Sequence, residues 1–325
     1  MKEKTITPVL RPEKINLKTE IIDDDIGSAF SESWPSLDGM PNIFNRSSIF
    51  AGEKASKGKS YIDKEIYSYL KGFQIKYTGP ALDKRDYQVF QLCIHAARSS
   101  GVDMGKSIRI FPCKWFEILR RTDNSVSRNN LFDSLKKLTC ANVYVCKEEN
   151  GYKEEVSGAL LSMAKRTQLI KSSQNKNDIK WLISVNPYTK DLFVDNMTLL
   201  DIHRSAQIKS HLGLWLHDFY SSHSAPIPIE LKKLKLLSGS EMSISHFNQS
   251  LKEALAKLVE VDFLLDYEIK ALNKTDKILI VNKKYNSPII NGNVIFKGNI
   301  NNNNYRNYKE DAIRREGEIR SKVVL

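Results

Sequence analysis

The stretch "RRTDNSVSRNNLFDSLKKL", residues 120–138, places a run of small polar residues in front of an apolar stripe. Leu131, Leu135 and Leu138 recur at three- and four-residue spacing, which is the pattern of one buried helix face. A run of small polar residues between two apolar-striped segments is typical of a turn between helices. The stretch therefore predicts a turn and then a helix over 124–138 whose leading end is polar.

Two more helices are predicted ahead of this turn. The first covers residues 83–99, with apolar residues at helical spacing and Gly101 as its stop signal. The second lies in "CKWFEILRR" (113–121), behind a proline that suits the first turn of a helix. Between them, "SIRIFP" (107–112) alternates apolar and polar residues and predicts a short strand. The order is thus helix, strand, short helix, turn, helix.

Strands are predicted on both sides of the three helices. The earlier pair is "YIDKEIYSYL" (61–70) and "GFQIKYTG" (72–79). After the third helix, "ANVYVCKEE" (141–149) and "GALLSMAKR" (158–166) are predicted to form a hairpin around the polar turn at Asn150 and Gly151, and "IKWLISVNP" (179–187) a further strand.

The same order of elements recurs later in the chain. Helices are predicted in "SAQIKSHLGLWLHDFYSSH" (205–223), "PIPIELKKLKLLSGS" (226–240) and "MSISHFNQSLKEALAKLVE" (242–260), and strands in "FLLDYEIK" (263–270) and "KILIVNKK" (277–284). Letter matches between the two copies give an offset of either 118 or 116, so the repeat is clearer in element order than in sequence.

Helix, short helix, turn, helix and hairpin, occurring twice, predict an α+β fold. It consists of two tandem winged-helix domains, each a helix-turn-helix with a β-hairpin wing, and flexible termini. We predict a flexible acidic segment over 1–40, a first winged-helix domain with its preceding strands over 41–195, and a second over 196–284. An Asn-rich linker and a charged tail are predicted over 285–325.

The charge distribution favours a polyanionic partner. Lys and Arg number 50 against 38 Asp and Glu, which gives a net charge of +12. Residues 1–40 carry five basic and eight acidic side chains, and residues 285–325 carry seven and four, so the middle keeps 38 basic against 26 acidic. The positive surplus lies in the part predicted to fold, which indicates a nucleic-acid partner. The predicted winged-helix domains make double-stranded DNA the expected partner.

In a helix-turn-helix, the second helix enters the major groove with short polar or basic side chains at its leading turns. We expect Arg128 to be the strongest candidate for reading a guanine, and Gln249 to pair with an adenine. The predicted base-facing residues are Asn124, Ser125, Ser127, Arg128, Asn129, Ser243, Ser245, His246, Gln249 and Lys252.

Other basic residues are expected to contact phosphates, which position a protein on the duplex without reading sequence. They lie at the turn, along the third helix and on the hairpins predicted to be wings. The set is Arg120, Arg121, Lys136, Lys147, Lys153, Lys270, Lys274 and Lys277.

Enzymatic chemistry is not indicated. The six histidines offer no His-x-His metal pair, and the four cysteines have neither zinc-ligand spacing nor a disulfide pattern. The glycine-rich stretches at 52–60 and 101–107 lack the four-residue gap of a phosphate-binding loop. We therefore predict no catalytic site, no metal and no cofactor. With no signal peptide or membrane span evident, the expected location is the cytoplasm, away from membranes.

Four stretches resemble the TrfA-type plasmid replication initiators: "MPNIFNRSSIF" (40–50), "IKYTGPALDKRDYQVFQLCIHAAR" (75–98), "WFEILRRTDNSVSRNNLFDSLKKL" (115–138) and "DFYSSHSAPIPIELKKLKLLSGS" (218–240). The resemblance implies two winged-helix domains that bind direct repeats, or iterons, at a plasmid origin. It also implies that monomers are active, that dimers are inactive, that adjacent A·T-rich DNA is opened, and that a host initiator and replicative helicase are recruited.

Two other functions remain open on the sequence. A sequence-specific transcriptional repressor, including one that represses its own gene, would use the same two recognition helices but bind an inverted pair of sites as a two-fold dimer. A relaxase or primase would require metal-dependent nicking or primer synthesis. The layout of the bound sites separates the initiator, which would bind several same-direction repeats, from the repressor.

Overall fold

The computed structural model describes residues 37–100, 104–149, 151–167, 180–193, 196–273, 276–284 and 289–291. A short 3-10 helix covers Pro187–Phe193. The helices and strands, in chain order, are β1 (Leu37–Pro41), α1 (Asn42–Asn45), β2 (Phe50–Ala51), β3 (Ser60–Glu65), β4 (Phe73–Pro80), β5 (Leu82–Asp83), α2 (Lys84–Ser99), β6 (Ile108–Ile110), α3 (Pro112–Ile118), α4 (Ser125–Thr139), β7 (Asn142–Glu149), β8 (Tyr152–Ala159), β9 (Leu161–Arg166), β10 (Trp181–Val185), β11 (Asn196–Asp201), α5 (Ile202–Ser205), α6 (His211–Ser221), β12 (Ile229–Glu230), α7 (Leu231–Leu237), α8 (Ile244–Glu260), β13 (Leu264–Ala271), β14 (Lys277–Lys283) and β15 (Ile289–Asn291).

The first winged-helix unit is built from α2, α3 and α4. Helix α2 begins with a capping box, in which the Asp83 side chain accepts from the backbone of Asp86 and the Asp86 side chain accepts from that of Asp83. The small sheet of the unit has the order β6-β10-β9, with both pairings antiparallel. Because β6 lies between α2 and α3 in sequence, this order is that of a winged helix, in which β9 and β10 form the wing.

The second unit repeats the arrangement with α6, α7 and α8. Its sheet has the order β12-β14-β13, so the strand between the first two helices again pairs with the last strand. Helix α8 packs through Phe247, Leu251 and Leu255, which are all buried. The predicted α+β fold with two tandem winged-helix domains is confirmed.

The turn between the second and third helix has the same geometry in both units. Arg120 and Gly239 have φ angles of 51° and 65°, in the left-handed region. In each turn the next residue's N–H, that of Arg121 or Ser240, donates to a carbonyl five residues back, which closes the end of the preceding helix. The structural offset at the turn is therefore 119, and neither letter match (116 or 118) was the correct register.

A four-stranded sheet of order β3-β4-β7-β8 stands apart from both winged-helix sheets. The pair β3-β4 was predicted. The hairpin predicted from 141–149 and 158–166 is wrong, because β7 pairs with β8 (Tyr152–Ala159) and only Leu161–Arg166 of the predicted second strand, β9, belongs to the first wing. Strand β7 pairs with β4 from Thr78↔Asn142 to Phe73↔Lys147. Val143 and Val145 of β7 enter the same core as Ile75 of β4, so this sheet supports the unit from another side.

The predicted helix over 205–223 is interrupted. Residues 202–205 form α5 and residues 211–221 form α6. The break occurs because the Ser210 hydroxyl accepts from the Gly213 backbone N–H at 3.0 Å and so starts a new helix.

The segment that contains α1 and β2 joins the two units. Its Ser47 carbonyl accepts from the Trp215 indole at 3.2 Å, and its Gly52 N–H donates to the Ser238 carbonyl at 2.7 Å. Trp215 belongs to the core of the second unit, whose buried apolar residues run from Ile208 to Val281. The buried apolar residues of the first core run from Met40 to Ile202, so this segment bridges the two cores.

Strand β11 is the central strand of a third small sheet, with the order β1-β11-β15. Leu37 of β1 pairs with Asp201, and Asn291 of β15 pairs with Asn196. Both outer strands fall at the inner ends of the segments predicted to be flexible, where the structure has regular backbone pairing instead. The remainder of the predicted flexible segments, 1–36 and most of 285–325, lies outside the described residues.

Candidate nucleic-acid interface

Helix α4 is held by an apolar stripe and by a polar anchor. Leu131, Leu135 and Leu138 are buried in the first core. On the same side, the buried carboxylate of Asp86 in α2 accepts from the Ser134 hydroxyl at 2.6 Å and from the Lys137 ammonium at 2.9 Å. These contacts fix the rotation of α4 about its axis, so its opposite face is presented to solvent.

The leading end of α4 is exposed and capped. The Asn124 side chain accepts from the Ser127 backbone N–H at 2.8 Å, which satisfies one of the free donors of the first turn. Asn124, Ser125 and Asn129 are exposed, and Ser127 and Arg128 are half-buried. The Oδ1 atom of Asn124 is engaged in the cap, and its amide N–H groups remain available as donors.

Arg128 is paired with a neighbour that the sequence interpretation passed over. Its Nε atom lies 2.6 Å from Oδ1 of Asp123, and its Nη2 atom 2.8 Å from Oδ2. The hydrogen bond from Arg128 holds the pKa of the Asp123 carboxyl below its ordinary value, and the same bond raises the pKa of Arg128. The pair is therefore ionised at neutral pH.

A residue of the first wing strand reaches the exposed face of α4. The Nη1 atom of Arg166, at the end of β9, donates to Oδ1 of Asn129 at 2.9 Å. Its guanidinium lies 4.4 Å from the ring centroid of Phe132 and 5.4 Å from that of Trp181. Arg166 therefore connects the wing to α4 and adds a positive charge beside Asn129, one of the predicted base-facing residues.

Helix α8 presents the second predicted set. Ser243 accepts from the His246 backbone N–H at 3.3 Å and caps the helix. The Gln249 amide nitrogen donates to Glu253 at 3.2 Å, which leaves its carbonyl oxygen and one N–H for an adenine edge. The exposed members of this set are Ser243, Ser245, His246, Gln249 and Lys252.

The predicted phosphate contacts near the first turn separate into two groups. Arg120 and Lys136 are exposed, and Lys136 pairs with Asp133 at 2.7 Å. The placement of Arg121 at the surface is wrong. Its guanidinium donates to the buried Gln88 side chain at 2.7 Å, and burial, together with the nearby charge of Arg85, lowers the pKa of Arg121 to about 10.

The predicted wing lysines also need correction in the first unit. Lys147 and Lys153 lie on β7 and β8, which belong to the four-stranded sheet, so they are not wing residues. Lys153 pairs with Glu155 at 2.9 Å. In the second unit, Lys270 and Lys277 lie exposed on the β13-β14 wing as predicted, and Lys270 pairs with Glu268 at 2.9 Å.

Lys274, the third predicted lysine of the second wing, lies outside the described residues. Two further basic positions were not among the predicted contacts: Lys165 beside Arg166 on β9, and Lys232 on α7, whose ammonium lies 2.5 Å from Asp276. The basic "AKR" at the end of a predicted strand was the available signal for the first. That strand belonged to the hairpin predicted to be the first wing, but only Lys147 and Lys153 were predicted as phosphate contacts of that hairpin.

The structure thus places the predicted base-facing residues in two clusters, one on each core. One contains Arg128 and Asn129 with Asp123 and Arg166 around them, and the other lies at the start of α8. Within the described ranges, no group of three or more His, Cys, Asp or Glu side chains is placed to hold a metal ion. Over the same ranges, no helix has the length and apolar character needed to cross a membrane.

Comparisons with known proteins agree with this architecture. Domains 2 and 3 of RctB, in a selenomethionine crystal structure, align with a TM-score of 0.52 at 12% identity, over 76% of this chain and 99% of that one. A second structure of RctB domains 2–3 aligns with a TM-score of 0.46 at 10% identity, over 71% and 95%. At this identity the likeness concerns the fold. No curated protein matches the chain in sequence.

The family comparison is more specific. The model described as "TrfA protein" matches residues 17–268, which include both third helices, the segment that joins the two units and all of β13 except its last three residues. The resemblance inferred from the four sequence stretches is confirmed by this match. The chain belongs to the TrfA family of plasmid replication initiators.

Proposed function

We propose that this chain initiates plasmid replication by binding direct repeats at the origin as a monomer, without enzymatic activity of its own. The proposal depends on one observation. The chain has two different candidate recognition helices, α4 and α8, and each packs on its own hydrophobic core. A two-fold dimer of one reader binds an inverted repeat, whereas one chain with two unlike readers binds an asymmetric site. Asymmetric sites repeated in one direction are the layout of an iteron array.

The two clusters differ in the chemistry that they offer to DNA. Arg128 has the fork geometry that matches guanine, whereas Gln249 has the donor and acceptor that match adenine. Each repeat should therefore contain a guanine-bearing and an adenine-bearing segment, in successive major grooves about one helical turn apart.

Opening of A·T-rich DNA follows, in this proposal, from collective binding. Several chains on adjacent repeats strain the duplex, and flexible pyrimidine–purine steps lower the cost of deforming the neighbouring segment. Recruitment of a host initiator and replicative helicase, and an inactive homodimer, rest on family membership. Pull-down of host replication proteins by the full chain, with and without origin DNA, tests the recruitment.

A nuclease footprint on the replicon that encodes the chain tests the central claim. We expect protection of several same-direction repeats, each covered by one chain as counted by mass measurement of the complex. Protection of a single inverted pair by a dimer would instead indicate a transcriptional repressor. Nicking or primer synthesis by the purified protein with a divalent metal would overturn the non-enzymatic part.

Single substitutions separate base reading from phosphate contact. Arg128→Ala and Gln249→Ala should each cost about 1 to 3 kcal/mol on the cognate repeat and relax the preference at one position. Glu260→Gln, an exposed change at the far end of α8, is the matched control and should leave the base preference intact. Equal losses on cognate and random DNA would remove either residue from the set of base readers.

A further inference from the structure

The ion pair between Asp123 and Arg128 controls which edge of the guanidinium faces outward. Asp123 engages Nε and Nη2, the side edge of the group, with both oxygens. The end edge, formed by the outer N–H groups of Nη1 and Nη2, stays available. No other hydrogen bond joins this guanidinium to a side chain or carbonyl within the described residues.

Guanine offers two acceptors, N7 and O6, on its major-groove edge. Two parallel N–H groups from the end edge of a guanidinium match that pair. A phosphate, in contrast, accepts from a guanidinium in many orientations and needs no fixed edge. An arginine whose side edge is held by a carboxylate is therefore suited to contact a guanine and poorly suited to contact DNA phosphates in several orientations.

The charge of Asp123 acts in the same direction. It offsets the positive charge of Arg128 at the leading end of α4, where Arg121 has already turned inward to Gln88. Sequence-independent affinity comes from neutralising phosphates. A locally balanced charge lowers that contribution and leaves directional hydrogen bonds to decide affinity.

From these observations we infer that Asp123 is a specificity-determining positioning residue: it holds Arg128 so that the guanidinium reads a guanine in preference to a phosphate. This inference rests on the proposed function, because it requires sequence-specific binding through α4. It adds a residue that touches no base itself.

The test uses the full chain and duplexes that the wild-type protein selects from a randomised pool, with random-sequence duplex as the reference. Each guanine of the selected site is replaced in turn by 7-deazaguanine, which lacks the N7 acceptor. For the wild-type protein, one such replacement in the α4 half should weaken binding by about fivefold or more, the lower end of a bidentate contact. Arg128→Ala should remove that sensitivity.

Asp123→Asn should remove the same sensitivity while binding random duplex more tightly. In Asp123→Glu, which keeps the charge but moves the carboxylate by one methylene, the sensitivity should fall without a gain on random DNA. Asp133→Asn is the matched control, since Asp133 is exposed on the same helix and pairs only with Lys136 among the described side chains. Asp133→Asn should bind random-sequence duplex more tightly than the wild-type protein does, and its binding should still be weakened by the 7-deazaguanine replacement.

Far-UV circular dichroism and the unfolding midpoint of each variant check that α4 still forms. If Asp123→Asn and Asp123→Glu both keep the wild-type sensitivity, the positioning role is overturned although the proposed function stands. An equal gain for Asp123→Asn on selected and random duplexes would also overturn it. If the wild-type protein selects no sequence over random DNA, the proposed function fails first, and this inference with it.

Discussion

The Nζ atom of Lys84 lies 2.6 Å from Oδ2 of Asp218, and both side chains are almost completely buried where α2 meets α6. Burial lowers the pKa of Lys84 below its ordinary value. Burial alone would raise the pKa of Asp218, but the charge of Lys84 and the hydrogen bond from His217 hold it below its ordinary value. One ion pair therefore sits inside the joint between the two winged-helix units.

Removal of one partner from this pair should be costly. Lys84→Met leaves the Asp218 carboxylate buried without its cation, and we expect the free energy of unfolding to fall by about 3 to 5 kcal/mol. The double change Lys84→Met with Asp218→Leu removes both charges and should recover most of that loss. Urea denaturation followed by tryptophan fluorescence measures both. A single variant within about 0.5 kcal/mol of wild type would contradict the prediction.

The left-handed backbone at Arg120 predicts opposite effects on stability and on binding. Arg120→Gly removes the cost of a Cβ atom at φ 51° and should stabilise the fold by about 0.5 to 1 kcal/mol. It also removes an exposed cation, so affinity for all DNA should fall and the salt slope should decrease by about one. Thermal unfolding and salt titration of duplex binding check the two halves. If Arg120→Gly had the same unfolding midpoint and the same salt slope as the wild-type protein, the left-handed, DNA-contacting position of Arg120 would be refuted.

The corresponding change in the second unit should act in the reverse direction on stability. In Gly239→Ala the new Cβ would lie 3.0 Å from Cβ of Ser48, at a φ of 65°. Strain and contact together should cost more than about 1 kcal/mol. Thermal unfolding measures the loss, and a variant as stable as wild type would show that the turn relaxes freely.

Arg166 should contribute to both stability and reading. Arg166→Ala loses the stacking on Phe132 and Trp181 and the hydrogen bond to Asn129, so stability should fall by about 0.5 to 2 kcal/mol. Base preference should also change at one position of the α4 half. Lys165→Ala, on the same strand, removes an equal charge. It should weaken binding to random-sequence DNA but leave the stability and the base preference unchanged. Identical behaviour of the two variants would exclude the stacking role.

His223 predicts a loss of stability in acid. Burial, followed by the charges of Arg46 and Lys283, lowers the pKa of His223 to about 4 from its ordinary 6.5. The folded state therefore resists protonation, so stability is fully present above pH 6.5 and is lost as the pH falls towards 4. Relative to His223→Asn, the wild-type protein should lose about 1 to 3 kcal/mol between pH 7 and pH 4. If the free energies of unfolding of the wild-type protein and His223→Asn differed by the same amount at every pH from 7 to 4, the prediction would be contradicted.

Local signals explain why the helices could be predicted from the sequence. The cap at Asn124, the stripe of Leu131, Leu135 and Leu138, and the capping box at Asp83 are all decided by residues within a few positions of one another. Their repetition around the second turn identified the winged-helix order. The exposed start of α8 follows from the same reasoning.

Strand pairing explains the main error. Val143 and Val145 alternate in the same way whether β7 joins a wing or packs beside β4, so the sequence pattern does not distinguish the two sheets. Arg121 is a similar case, because its inward turn depends on Gln88 of α2, a partner 33 residues away. The pairing of Asp123 with Arg128, in contrast, spans only five residues, so the local charge pattern of the turn could have indicated it.

The pairing of β11 with both β1 and β15 has a practical consequence for shortened versions of the protein. A chain cut after the second wing, at residue 284, would lose β15 and leave one edge of β11 without its backbone partner. A cut before Met40 would remove most of the pairing on the other edge. Truncations meant to keep the two winged-helix units in their native arrangement should therefore begin no later than Leu37 and end no earlier than Asn291.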